Sequence, residues 1–166
     1  MPSLGYQWFS LKGFTPDHIE PSAMRGEIER ATPFLKYFLE ETLMSKGLTP
    51  ADLALVGFSQ GTMMALEALS FLPEVKAIVG YSGAFYPPVS SSGLPKRLSV
   101  SKILLVHGDA DPVIPFTALE ESVHHLKQGG LTVETHVSHG IGHSIDFEGL
   151  KRGGDFLRAC LQETSL

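Results

Sequence analysis

The sequence predicts an α/β fold, a mostly parallel sheet flanked by helices, and three observations carry that reading. Short apolar runs alternate with longer stretches of helical periodicity. The run Leu53 to Phe58 is almost continuously apolar, as a strand buried on both faces requires. At 166 residues the chain has room for one domain, assigned to residues 1–166, and not for two.

The elements follow in order. A first helix is expected from about Ser22 to Lys46. Ser22 can cap it, Ile28, Ala31, Leu35, Phe38, Leu39 and Leu43 recur at helical spacing, and Gly47 can end it. Pro33 inside it predicts a kink. Residues 49–52 read as a turn into the strand Leu53 to Phe58, and a helix from about Gly61 to Leu72 follows, ending before Pro73. Val75 to Tyr81 is the next strand, and Ser82 to Val100, rich in Pro, Ser and Gly, reads as a long surface loop. Lys102 to His107 is a strand, Thr117 to Lys127 a helix closed by Gly129 and Gly130, and Leu131 to Val137 a fourth strand. A last helix is expected from near Ile145 to Leu161.

Composition narrows the function classes. Hydrophobic residues make up 43% and charged residues 19%, which suits a packed core and argues against disorder. Thirteen Lys and Arg against eighteen Asp and Glu give a formal charge of -5, with no basic stripe to hold a phosphate backbone, so nucleic acid is excluded as a partner. Cys160 is the sole thiol, and the first ten residues lack the basic start and apolar run of a secretory signal. Both predict a reducing, cytoplasmic setting. No run approaches the 18 or so apolar residues of a membrane span, and no internal repeat is visible.

The chemistry concentrates in three segments. Gly57-Phe58-Ser59-Gln60-Gly61 has the form G-x-S-x-G, where a Ser stands on a tight strand-to-helix turn flanked by small residues because the backbone is crowded. It falls where an apolar strand passes into a helical pattern, the setting such a motif needs. A hydroxyl is too weakly acidic to attack an acyl carbon unaided, so it requires a base and a group to orient that base. Asp109 and Asp111 follow the third strand, and His143 follows the fourth, so all three leave the same edge of a parallel sheet as Ser59. Either Asp can serve as the orienting acid, and the other can brace its loop through backbone N–H groups. Ser59 as a mere helix N-cap is the plainer alternative, but a cap needs no flanking glycines. His136, His139 and His143 are spaced like metal ligands only loosely, with no Cys and no helical H-E-x-x-H pattern beside them, so no metal is expected. His124 and His125 are expected at a helix surface.

These segments, with Gln7 to Leu11 and Gly80-Tyr81-Ser82-Gly83-Ala84, resemble the α/β-hydrolase carboxylesterases and phospholipases that include the acyl-protein thioesterases, and they occur in that family's order. The resemblance implies a Ser59, Asp111, His143 triad, which settles the acid role on Asp111. It also implies hydrolysis of a small acyl ester or thioester without a cofactor. The oxyanion donor implied is the backbone N–H of Gln60, the residue after the nucleophile. An apolar substrate pocket is expected from Met63, Phe85, Pro112 and Val113.

Members of that family begin with strands leading into a His-Gly loop that supplies a second oxyanion donor. The chain is therefore expected to be truncated at its N-terminus, with an esterase activity weakened by that loss. The competing expectation is a catalytically impaired hydrolase remnant that acts as a binding or scaffold protein. Loss of the preceding strands would also leave Leu53 to Phe58 as an open edge. A homodimer or larger oligomer is expected, or a covering strand formed by Met1 to Leu11.

Overall fold

The computed structural model describes residues 7–10, 20–88 and 101–162. Among them four strands form one sheet in the order β1-β2-β3-β4, every pair parallel: β1 Ala54–Phe58, β2 Ala77–Tyr81, β3 Lys102–Gly108 and β4 Thr132–Ser138. Phe58 pairs with Tyr81, Tyr81 with Val106 and Val106 with His136, so the loops that follow the strands emerge along one edge. The second half of the expected Ser82 to Val100 loop lies outside the described residues.

Among the described residues four α-helices flank the sheet: α1 Pro21–Lys46, α2 Gln60–Glu67, α3 Thr117–Gln128 and α4 Phe147–Gln162. Helix α1 begins one residue before the expected Ser22 cap. Pro21 occupies the first turn, where its fixed φ is already helical and its missing N–H costs nothing, and no side chain caps it. The helix continues through Pro33 without a break in its assignment and ends at Gly47, whose φ of 64° lets its N–H close the last turn on Leu43 and Met44. The expected Gly61 to Leu72 helix is shorter: α2 stops at Glu67, and a 3-10 turn over Ala68–Ser70 carries the chain toward Pro73. Residues 7–10 form no strand, and the rest of the Met1 to Leu11 segment lies outside the described residues.

Alternation along β2 and β3 sends side chains to two covered faces. Ile78, Ile103 and Leu105 join a large core with Met24, Ile28 and Leu35 of α1, Met64 and Leu66 of α2 and Leu126 of α3. Val79, Tyr81, Leu104 and Val106 face the other way, onto Phe156 and Cys160 of α4. Between α1 and α2 lies a buried ion pair. Arg25, 6% exposed, donates to both carboxylate oxygens of Glu67, 4% exposed, and also to Glu29 and the Tyr86 carbonyl. The fork geometry matches two parallel N–H donors to two acceptors, which offsets the desolvation of both charges.

Strand β1 departs from the expectation of burial on both faces. Among the described residues it pairs only with β2, and α4 packs across β2, β3 and β4. Leu55 turns toward the large core, but Val56 is 60% exposed and Phe58 40%. The outer face of α1 also presents Phe34, Tyr37, Phe38 and Met44 to solvent. Among the described residues no helix is long and apolar enough to cross a membrane.

Candidate active site

Ser59 follows β1 directly and caps α2 in a conformation of φ 54° and ψ -118°, which residues other than glycine rarely adopt. The surroundings impose it. Ser59 N–H donates to the Tyr81 carbonyl at 2.9 Å, and Thr62 Oγ1 lies 2.9 Å from the carbonyls of both Gly57 and Tyr81, tying the ends of β1 and β2 beneath the turn. The crowding anticipated on both sides of Ser59 falls on one. A Cβ on Gly57 would lie 2.3 Å from the Gly61 carbonyl, whereas a Cβ on Gly61 would meet nothing within 4 Å.

Asp111 sits in the turn after β3 with its side chain fully buried. Its Oδ1 accepts the N–H groups of Val113 at 2.8 Å and Ile114 at 3.0 Å, and its Oδ2 faces His143 Nδ1 at 2.8 Å. Burial works against the carboxylate anion, but these hydrogen bonds outweigh it and hold the Asp111 pKa below the ordinary carboxylate value. An anionic Asp111 can only accept, so Nδ1 carries the His143 proton. That leaves the Nε2 lone pair facing Ser59 Oγ, 3.0 Å away. The three residues expected from the sequence thus form one hydrogen-bonded line, drawn from the ends of β1, β3 and β4.

Supporting contacts surround that line. The ring of Phe58 lies 4.9 Å from the His143 ring, tilted by 47°. Asp109 takes the bracing role left open for it: Oδ1 accepts the Gly140 N–H and Oδ2 pairs with His139 Nδ1 at 2.8 Å, joining the loops after β3 and β4. These bonds hold its pKa low as well. A Cβ on Gly108 would lie 2.1 Å from the Ile141 carbonyl, so only glycine lets these two loops approach so closely. His107, buried at the end of β3, has its Nε2 3.0 Å from the Ile114 carbonyl. No group of three or more metal-ligating side chains occurs among the described residues.

The four residues expected to line the substrate pocket are not brought together. Met63 is 3% exposed and belongs to the large core shared by α1, α2, α3 and the sheet. Phe85 lines a cavity of about 260 Å³ between the start of α1 and α3, with Arg25, Tyr86, Glu121 and His125 among its other walls and none of Ser59, Asp111 and His143. Burial, then the nearby Glu121, push the Tyr86 phenol there up to about 12. Pro112 and Val113 are exposed on the Asp111 turn. Helix α2 begins at Gln60, so its N–H lies in the first turn, where backbone donors lack intrahelical acceptors. The Gln60 side chain, which the sequence reading passed over, bonds the backbone of Trp8 and Phe9.

Comparison with known proteins gives a consistent set of likenesses. A family model described as Phospholipase/Carboxylesterase matches residues 1–161. The chain is 27% identical over 156 residues to esterase YpfH of Escherichia coli strain K12, covering 93% of this chain and 62% of that protein. It is 28% identical over 157 residues to acyl-protein thioesterase 1 of Gibberella zeae, covering 91% of this chain and 66% of that protein. The crystal structure of esterase PE8 superposes with a TM-score of 0.78 at 37% identity, covering 95% of this chain and 71% of the other. The chain thus spans between 43% and 66% of the length of the curated relatives it matches.

Proposed function

The chain belongs to the phospholipase/carboxylesterase family, and from that premise we propose that it hydrolyses carboxylic esters or thioesters by acyl transfer through Ser59. The observation that carries this reading is the line of hydrogen bonds from Asp111 to His143 to Ser59, at 2.8 and 3.0 Å. Ser59 Oγ attacks the acyl carbon while His143 Nε2 takes its proton. The developing oxyanion is received by the Gln60 N–H, and Asp111 holds the imidazolium that results. His143 then returns the proton to the departing alcohol or thiol, which leaves an acyl ester on Ser59. Water, deprotonated by the same Nε2, releases the carboxylic acid and restores the hydroxyl.

A p-nitrophenyl ester assay beside a labelled fluorophosphonate tests the reading. The parent is expected to turn over the ester and to take the label, and Ser59→Ala to lose both while keeping its far-UV signal. Asp111→Asn is expected to cost far more activity than Asp109→Asn, since only Asp111 touches His143. Hydrolysis by Ser59→Ala at the parent rate would remove the nucleophile assignment. Labelling without turnover would point to an intact triad with a defective oxyanion hole.

The reading extends to assembly. Among the described residues the far edge of β1 carries no partner strand, and with Val56 and Phe58 exposed beside it, it is proposed to pair with the same strand of a second copy, a self-complementary two-fold contact. Light scattering after size exclusion decides this: a stable 18.0 kDa particle with rapidly exchanging β1 amides would overturn it.

A further inference from the structure

Gln60 has two chemically separate parts, and the proposed hydrolysis uses only one of them. The oxyanion needs a backbone N–H, which any residue except proline would supply at this position. The side chain is engaged elsewhere. Its Oε1 accepts the Trp8 N–H at 3.0 Å and its Nε2 donates to the Phe9 carbonyl at 2.8 Å, so one carboxamide reads a donor and an acceptor on neighbouring residues about fifty positions away. A carboxylate could satisfy the Trp8 N–H but would set an oxygen against the Phe9 carbonyl. A shorter amide would lack the reach of one methylene.

The two residues it holds behave differently. Phe9 is 7% exposed and packs into the core, so it suffices to anchor the segment. Trp8 is 44% exposed. Its ring is therefore not needed by the core, yet its main chain is tied to the residue that immediately follows Ser59.

We propose that Gln60 is a positioning residue that fixes Trp8 as an apolar wall of the ester-binding cleft, making Trp8 a specificity-determining residue for the acyl group. This rests on the hydrolase reading above. The recognition is shape and apolar area: a flat indole face favours acyl groups long enough to lie along it, and favours little for an acetyl group, which ends at the reacting carbon.

Trp8 is the only tryptophan in the chain, so its fluorescence reports the clamp without any catalysis. With unchanged far-UV circular dichroism, Gln60→Ala is expected to raise acrylamide quenching of Trp8 about twofold and to lower its anisotropy, with Gln60→Glu in between. Quenching and anisotropy equal to the parent's in both variants would overturn the clamp, whether or not the protein is an active hydrolase. The wall is read by titrating the parent with octanamide, which needs no reaction: Trp8 emission is expected to shift, and no shift up to the solubility limit would overturn the wall. In turnover, Trp8→Ala is expected to raise KM for p-nitrophenyl octanoate about tenfold with little change in kcat. KM for the acetate should stay near the parent's, and Trp8→Phe should recover much of the loss. An equal effect on both esters would overturn the specificity role. Failure of the hydrolase reading is separately visible, as absence of turnover and of fluorophosphonate label at Ser59.

Discussion

His107 Nε2 stands 3.5 Å from Asp111 Oδ2 while donating at 3.0 Å to the carbonyl of Ile114. That bond pins the far end of the turn whose N–H groups, from Val113 and Ile114, hold the Asp111 carboxylate. His107→Ala leaves a buried carbonyl without a donor, at a cost of about 1–3 kcal/mol, and Tm is expected to fall by about 3–10 °C. Ester turnover should fall with it as Asp111 loses its fixed direction. A variant with the parent's Tm and rate would show the turn to be held by other means.

Gly57 and Gly61 flank Ser59 in the same motif but answer to different constraints. Gly57→Ala drives a methyl group into the Gly61 carbonyl, whereas Gly61→Ala fills open space within a helix. The first variant is expected to lose fluorophosphonate labelling and much of its stability, and the second to keep both. Differential scanning calorimetry and gel labelling of the pair decide the matter, and equal behaviour would contradict the crowding argument.

Acid should destabilise the fold in a defined direction. The Ser138 hydroxyl, opposed by burial and aided by the Gly149 N–H, holds the Asp146 pKa below its ordinary value, and Asp111 is held low as well. A carboxyl whose folded-state pKa lies below its unfolded value of about 3.9 adds stability above that pH, and loses it as pH falls through the folded value. Tm is therefore expected to decline from pH 5 toward pH 3. Asp146→Asn, whose amide oxygen can still accept from Ser138 and Gly149, should flatten part of that decline, and an unchanged slope would count against it.

Arg25 and Glu67 define a fourth test. Glu67→Gln removes the anion and leaves the guanidinium buried with weaker partners, at an expected cost of about 3–5 kcal/mol in urea unfolding. Replacing both residues with apolar ones should recover most of that loss. A single variant within about 1 kcal/mol of the parent would mean that Glu29 and the Tyr86 carbonyl suffice to hold Arg25.

The α/β class was legible because β2 and β3 are strands covered on both faces, and apolar runs such as Ala77 to Tyr81 have few other uses. Chain order on a parallel sheet brings Ser59, both Asp109 and Asp111, and His143 to one edge, whereas the choice of Asp111 over Asp109 comes from the family resemblance and not from the pattern of strands. What escaped depends on three-dimensional coverage. Met63 and Phe85 look equally suited to an acyl pocket, yet one is buried in the core and the other lines a cavity beside α1 and α3. The exposure of Val56 depends on how far α4 reaches across the sheet, which no local pattern encodes. The contact of Gln60 with Trp8 and Phe9 joins a side chain to backbone atoms, and backbone atoms leave no trace in composition or periodicity.

Ser59 stands at the end of a strand that, among the described residues, is paired on one side alone. Peeling β1 from β2 breaks one ladder of hydrogen bonds and leaves the pairing of β2, β3 and β4 intact, so this opening requires much less free energy than global unfolding. The φ of 54° at Ser59 is held against its own preference by the bond to Tyr81, and it relaxes as soon as that ladder parts. On warming, competence to react with a fluorophosphonate should therefore fade several degrees before the helical signal does. If two copies join through β1, the same weakness becomes a dependence on concentration: dilution would disarm the serine while most of the fold endured.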